Sequence, residues 1–308
     1  MKWRLISDVG GTNVRFARVI EDDNVVDSCS YHVSGFENFL DALRAYADDT
    51  EGGLSGCSGA AIGAAGPVAR GAAHLTNISW SIHEAEVANE IGAPCTLVND
   101  VEAAAYCLPG LASSEFLVIG DVAPKLETAH RLLAANIGTG FGAATLVRMS
   151  GGWFSSPSEA GHMSLFLPNA HEASLRPRFK SVEDVLSGRG LANLHSALGN
   201  DEAALEAADI CSRASSDPKC ASTLSLFTQI AGDVLGNLAL AVTAWDGVFL
   251  FGSVAKGFAH VADHVRFREA FEDKGAMVEW MKRIPVALVE KQDAALFGLA
   301  ALPIRPQP

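Results

Sequence analysis

A chain of 308 residues with 49% hydrophobic and 19% charged residues is long enough for two domains, each with its own core. Its formal net charge of -13 argues against nucleic acid and anionic membranes as partners. An anionic nucleotide bound by such a chain must be held by local backbone amides and a divalent cation, because the global field does not attract it.

The predicted elements run as follows. Residues 3–9 and 14–20 form a first hairpin. Phe36, Phe39, Leu40, Leu43 and Tyr46 fall at helical spacing over 36–47. A small-residue strand covers 59–65 and ends at Gly66-Pro67. A helix over 84–91, a buried strand over 95–98 and a helix over 101–108 follow, the last stopped by Pro109-Gly110. That pair marks a hinge, so a small α/β domain spans 1–109 and a large one 110–292. In the second domain 116–119 and 132–137 are strands, and 183–187 opens a helix. Helices over 203–214 and 224–244 carry wide apolar faces. The strand 248–251 is buried on both sides, with a Gly-Ser turn and a helix from Ala255 after it. The strand 286–289 and an alanine-rich helix over 293–302 complete the chain. The apolar run from Val234 to Leu250 is broken by Asp246 and Gly247, so it reads as a core helix and a core strand rather than a membrane span. Cys29, Cys57, Cys95, Cys107, Cys211 and Cys220 lack Cys-x-x-Cys spacing and read as reduced thiols of a cytoplasmic protein with no structural zinc. Asp8 interrupts the first apolar run, so no secretory leader is expected.

The stretch Asp8-Val9-Gly10-Gly11-Thr12-Asn13 follows a strand and precedes another. Its turn amides can form a nest for phosphate oxygens, with Asp8 beside the place of a phosphate-bound cation. An ordinary hairpin turn with a solvated Asp8 fits the same residues. Asn136-Ile137-Gly138-Thr139-Gly140-Phe141-Gly142 repeats the plan, with Asp8, Gly10 and Ala17 aligned on Asn136, Gly138 and Thr145. Two such hairpins suggest two related subdomains that clamp one phosphate chain. Gly138-x-Gly140-x-x-Ala143 is no dinucleotide fingerprint, because a strand and not a helix follows it. Asn99-Asp100 sits between a strand and a helix. Asn99 with Glu102 three residues on reads as a capping box, and a carboxylate at a strand's carboxyl end also stands where ligands bind in α/β folds. Glu159 and His162 lie in a stretch rich in Ser and Gly, which composition alone assigns to a polar loop. Glu183 at a helix start reads as a favourable dipole contact, and Trp80 as core packing. Arg15 is open between an outward strand residue and a partner that steadies a carboxylate.

These blocks, together with Leu75-Thr76-Asn77-Ile78-Ser79-Trp80, Glu159-Ala160-Gly161-His162, Glu183-Asp184-Val185-Leu186-Ser187-Gly188 and Val248-Phe249-Leu250-Phe251-Gly252-Ser253, resemble the bacterial glucokinases of the hexokinase superfamily, in family order over nearly the whole chain. The resemblance implies a two-domain α/β actin-like ATPase (ribonuclease H-like) fold, whose terminal helix, 293–308, returns to the small domain. It implies phosphorylation of glucose by ATP at the 6-hydroxyl, with Asp100 as general base. Asn77, Asn99, Asp100, Glu159, His162 and Glu183 would bind the sugar. Asp8, Gly10, Gly11, Thr12, Asn13, Gly138, Thr139, Gly140, Gly252 and Ser253 would serve the nucleotide, Asp8 holding Mg2+ through water. Family members often carry Gly where Ala160 stands and Gly-Gly where Gly252-Ser253 stands. The family also suggests a homodimer. Competing readings are a kinase of another hexose or amino sugar, a non-catalytic sugar sensor, and an actin-like or chaperone-type ATPase.

Overall fold

The computed structural model describes residues 2–21, 24–75, 78–199 and 205–305. The chain divides into two compact units, one reaching to Leu108 and resumed from Gln292, the other spanning Pro109–Lys291.

The first unit is built on β1 (Trp3–Val9), β2 (Asn13–Val19), β3 (Val25–His32), β4 (Cys57–Ala64) and β8 (Cys95–Asn99), with β5 (Val68–Ala69), β6 (Ala72–His74) and β7 (Ser81–His83) as a small separate sheet. The main sheet has the order β3-β2-β1-β4-β8. Its β1–β2 and β2–β3 pairs are antiparallel, and its β1–β4 and β4–β8 pairs are parallel. Alternate residues of β1 face opposite sides. Leu5 and Val9 share a core with Phe39, Leu43 and Tyr46 of α1 (Phe39–Asp49) and with Val87 and Ile91 of α2 (Glu84–Ile91). On the other side Gly63 of β4 lies against Ala103 of α3 (Asp100–Ala105) and Leu299 of the helix Ala294–Ala301. That helix meets α3 backbone to backbone: a Cβ on Gly298 would stand 1.8 Å from the Ala103 carbonyl oxygen. Arg4 donates to the Ala300 carbonyl at 2.6 Å, and Arg305 N donates to Thr96 Oγ1 at 2.8 Å. Arg18 lies 4.5 Å from the centre of the Trp3 ring, a cation–π contact that locks the far end of the hairpin.

The second unit repeats the plan. Its strands are β9 (Phe116–Val118), β10 (Arg131–Ile137), β11 (Phe141–Met149), β12 (Gly152–Ser158), β13 (Val248–Phe251) and β14 (Val286–Val289), in the order β12-β11-β10-β13-β14-β9. The first five match the first unit's main sheet strand for strand, an antiparallel hairpin and third strand followed by two parallel strands. Its helices are α4 (Asn169–Leu175), α5 (Val182–Val185), α6 (Gly188–Ala197), α7 (Ala207–Arg213), α8 (Pro218–Val242), α9 (Ser253–Ala259), α10 (His264–Glu272) and α11 (Val278–Met281). Among the described residues α8 alone is long and apolar enough to cross a membrane, and its Leu224, Phe227, Ile230, Ala231 and Leu235 are spent on the core. Gly232 and Gly236 let α10 lie directly on it, since a Cβ at either would stand 2.4–2.5 Å from the carbonyl oxygens of Phe267 and Phe271.

Several boundaries differ from those the sequence predicts, and polar caps account for most of them. Asn38 accepts from Asp41 N, so α1 starts at Phe39 and not at Phe36. Asp217 caps α8 and Pro218 occupies its first turn, where a missing N–H costs nothing, so α8 starts six residues earlier than its apolar face suggests. The predicted helix from 203 starts instead at Ala207; residues 203 and 204 lie outside the described residues. The helix expected over 101–108 is α3 plus a separate 3-10 turn at Leu108–Gly110. Ser155 to Ser158, read as loop, are the end of edge strand β12, where Pro157 costs no ladder bond on the open side.

Candidate functional site

Parallel strands bring their carboxyl ends to one rim. In the first unit Val9 and Asn99 both pair with Ala64, so β1 and β8 deliver Asp8 and Asn99-Asp100 to that rim. Asn99 does cap α3: its Oδ1 accepts from Glu102 N at 2.7 Å, and Glu102 accepts from Asn99 N at 3.3 Å. The capping box fixes the direction in which α3 leaves the sheet and therefore where Asp100 stands. Asp100 Oδ1 accepts from Val101 N at 2.9 Å. Burial raises the Asp100 carboxyl above its ordinary pKa, opposed by backbone hydrogen bonds. Asp8 is pushed up to about 6, first by burial and then by the negative charge of Asp100.

Arg15 is settled by the cross-strand register, which sets it opposite Asp8. It donates to Asp293 Oδ1 at 2.6 Å, and its charge partly relieves Asp8. The turn between them is closed by Gly10 N donating to Asn13 O at 2.9 Å, and Thr12 O accepts from Val33 N at 3.0 Å. Trp80 is 4% exposed and packs in the core; it also lines a cavity of about 500 Å3 beside Gly11 and Thr12. Asn77 lies outside the described residues.

The second unit gathers the other candidates around one peptide turn. Ile137 pairs with Phe141, leaving a loop of Gly138, Thr139 and Gly140, and Gly138 N donates to Gly140 O at 3.0 Å. In the first unit Val9 pairs with Val14, so that loop is one residue longer. The alignment of Ala17 on Thr145 is therefore corrected: Ala17 pairs with Ile6, and its counterpart by register is Ala144, which pairs with Ala134. Three segments press on the second turn. Gly252 has φ +99°, and a Cβ there would stand 2.4 Å from Ile137 O, so only glycine fits. Gly188 N donates to Gly138 O at 2.8 Å. Glu183 Oε2 accepts from Phe141 N at 2.8 Å.

Glu183 does stand in the first turn of α5, whose start is capped by Ser181 and Asp184, and its carboxylate reaches the glycine turn. The Glu159–His162 turn lies beside it. His162 N donates to Glu159 O at 3.0 Å, Val182 N to Met163 O at 3.0 Å, and Leu165 N to Lys180 O at 2.8 Å. The methyl of Ala160 is 1% exposed and fills core space. A Cβ on Gly161 would stand 2.4 Å from Phe141 O, so this turn too rests on the Phe141 backbone. Beyond Gly252, Ser253 opens α9. There Ala207, Ala208, Cys211, Val254 and Gly257 line a mostly apolar slot of about 290 Å3 between α7 and α9. The sequence reading missed Gly161 and Gly188, whose importance lies in close approach across the fold, which no local pattern announces.

Two copies of one sheet topology, each with a glycine-rich hairpin turn and acidic residues displayed beside it, define the actin-like ATPase fold of the sugar kinases. A model of the glucokinase family matches residues 5–304, and the chain belongs to that family. It is 35% identical to the glucokinase of Nitrobacter hamburgensis, with 98% of each chain covered. The crystal structure of glucokinase from an Antarctic psychrotroph superposes with a TM-score of 0.82 at 30% identity over 98% of each chain. A glucokinase of the ROK family from Streptomyces griseus, solved with glucose and AMPPNP, shares the fold at a TM-score of 0.64 and 19% identity, covering 97% of this chain and 98% of that one.

Proposed function

We propose that the protein transfers the γ-phosphoryl group of ATP to the 6-hydroxyl of glucose. The observation that carries the reading is the placement of Asp100: a capped, partly buried carboxylate at the end of a parallel strand, with a raised pKa and one oxygen on its own helix amide. Its second oxygen takes the hydroxyl proton as the sugar oxygen bonds to the γ-phosphorus and the bond from that phosphorus to the bridging oxygen breaks. ADP leaves, and the proton passes from Asp100 to solvent. General-base help of this kind contributes about 10²–10⁴ in rate, and positioning and charge neutralisation supply the larger share.

Asn77, Asn99, Glu159, His162 and Glu183 are assigned to sugar hydroxyls, because carboxylates accept hydroxyl protons and an analogue lacking one leaves a charge unpaired. The turn amides of Gly10, Gly11, Thr12 and Asn13, and of Gly138, Thr139 and Gly140, are assigned to phosphates. The apolar slot beyond Gly252 and Ser253 suits a purine base. Mg2+ fits Asp8, because a carboxylate beside phosphate oxygens and water is an ordinary site for that ion, and the repulsion between Asp8 and Asp100 favours a cation there. The ion supplies neutralisation of phosphate charge. Six free cysteines support a reducing compartment, and we place the enzyme in the cytoplasm as a homodimer.

The test is ADP release from Mg-ATP against glucose, mannose, fructose, glucosamine and N-acetylmannosamine, with a control lacking sugar. Glucose-dependent release is expected; turnover on another sugar alone would move the substrate, and none on any sugar would overturn the reading. Asp100→Asn is expected to lower kcat by 10²-fold or more, and retention of over a tenth of wild-type turnover would remove Asp100 from the role.

A further inference from the structure

We propose that Glu183 is a positioning residue that sets the pose of the phosphate turn, so that the hexose side and the nucleotide side of the second unit share one carboxylate. This deepens the function proposed above and rests on it. Glu183 Oε2 accepts from Phe141 N at 2.8 Å, leaving Oε1 for a sugar hydroxyl. The same oxygen seats on Gly140: a Cβ there would stand 2.6 Å from Oε2 and 3.3 Å from the carboxyl carbon, and its three nearest neighbours would all be Glu183 carboxylate atoms. Gly140 does not have a positive φ, so its backbone tolerates alanine and Glu183 is the obstacle. The carbonyl of the same residue, in the next peptide group, rests on Gly161, in the turn between Glu159 and His162. The Phe141 backbone is thus held at its amide and at its carbonyl by segments assigned to the sugar. A hydroxyl drawing on Oε1 steadies Oε2, and Oε2 steadies the amides that meet the phosphates. Linkage then requires that the nucleotide improve sugar binding by the same factor as sugar improves nucleotide binding.

A role confined to the sugar predicts no effect of Glu183 on nucleotide affinity when sugar is absent. The test measures binding of Mg-AMPPNP without sugar by calorimetry, and KM for glucose, in the full-length protein. Glu183→Ala is expected to weaken the analogue by about fivefold or more. Glu183→Gln, which keeps an acceptor for Phe141 N, is expected to bind the analogue within about twofold of wild type in the absence of sugar, while its KM for glucose rises. Gly140→Ala is expected to weaken the analogue and also to raise KM for glucose, although it adds only a methyl to the phosphate turn. In the Glu183→Ala background Gly140→Ala is expected to cost less than about twofold, because its obstacle is gone. If Glu183→Ala does not fold, Glu183→Asp replaces it in the cycle, since the shorter acid also withdraws from Gly140. Wild-type affinity in Glu183→Ala, or effects of the two substitutions that multiply in the double variant, would overturn the inference while leaving a glucose-active wild type intact. A wild type with no sugar-dependent ADP release would overturn the parent function and this inference with it.

Discussion

Asp8 carries an unfavourable charge. Its carboxyl is raised from 3.8 to about 6, so in the folded state it holds a proton over a pH range where the unfolded chain has lost it. The folded state binds more protons between these values, and this group's contribution to stability therefore falls as pH rises from about 4 to about 6, then stays level. The cost at neutral pH is about 2–3 kcal/mol. Asp8→Asn is expected to raise the unfolding midpoint at pH 7–8, to lose that advantage near pH 4, and to lower turnover sharply. Urea unfolding of both proteins across that range checks it; parallel pH profiles would show that Asp8 is not strained. A site that is costly to maintain is what a functional carboxylate predicts. The residues of this site were legible in unequal measure. Asp8, Asn99 and Asp100 announce themselves by following apolar strands. Asn99 is a structural cap, and the proposed function gives the same side chain to the sugar. Arg15 was undecidable because its partner, Asp293, lies 278 residues away.

Elements were legible where burial is complete along a strand or follows the helical period. The strands Val248–Phe251 and Val286–Val289 and the helix Glu84–Ile91 stand where their patterns place them. Strand β12 was not, because its residues are mostly exposed and a solvated edge strand has a loop's composition. Nor was β3, whose residues are half-buried or exposed throughout. The contact of α3 with the helix Ala294–Ala301 has a functional edge. Alanine is the better helix former by about 1 kcal/mol, yet at Gly298 its Cβ would collide with the Ala103 carbonyl and approach Cys107 N to 3.1 Å. Overpacking costs about 1–3 kcal/mol and wins. Gly298→Ala is expected to lower the unfolding midpoint and, because α3 carries Asp100 at its first position, to lower kcat while leaving KM for ATP near wild type. A variant as stable and active as wild type would show that the two helices can part without moving Asp100.

The whole molecule is a duplicated design with a discontinuous first half. The unit bearing Asp8 and Asp100 takes its closing helix from beyond Gln292, while the second unit is one unbroken stretch. Ending the chain at Lys291 deletes the Gly298 contact, the carbonyls held by Arg4 and the backbone donor to Thr96. Limited proteolysis of that truncation is expected to digest residues up to 108 rapidly and to spare 109–291; equal survival of both would refute the dependence. On the ribosome this topology inverts the order of events. The residues made first must wait, unfinished, while the second unit emerges and is free to fold, and the first unit closes only when the segment beyond Gln292 has been made. Competence to move a phosphoryl group thus waits on the segment beyond Gln292, and a chain stalled or cut before it is expected to lack that competence.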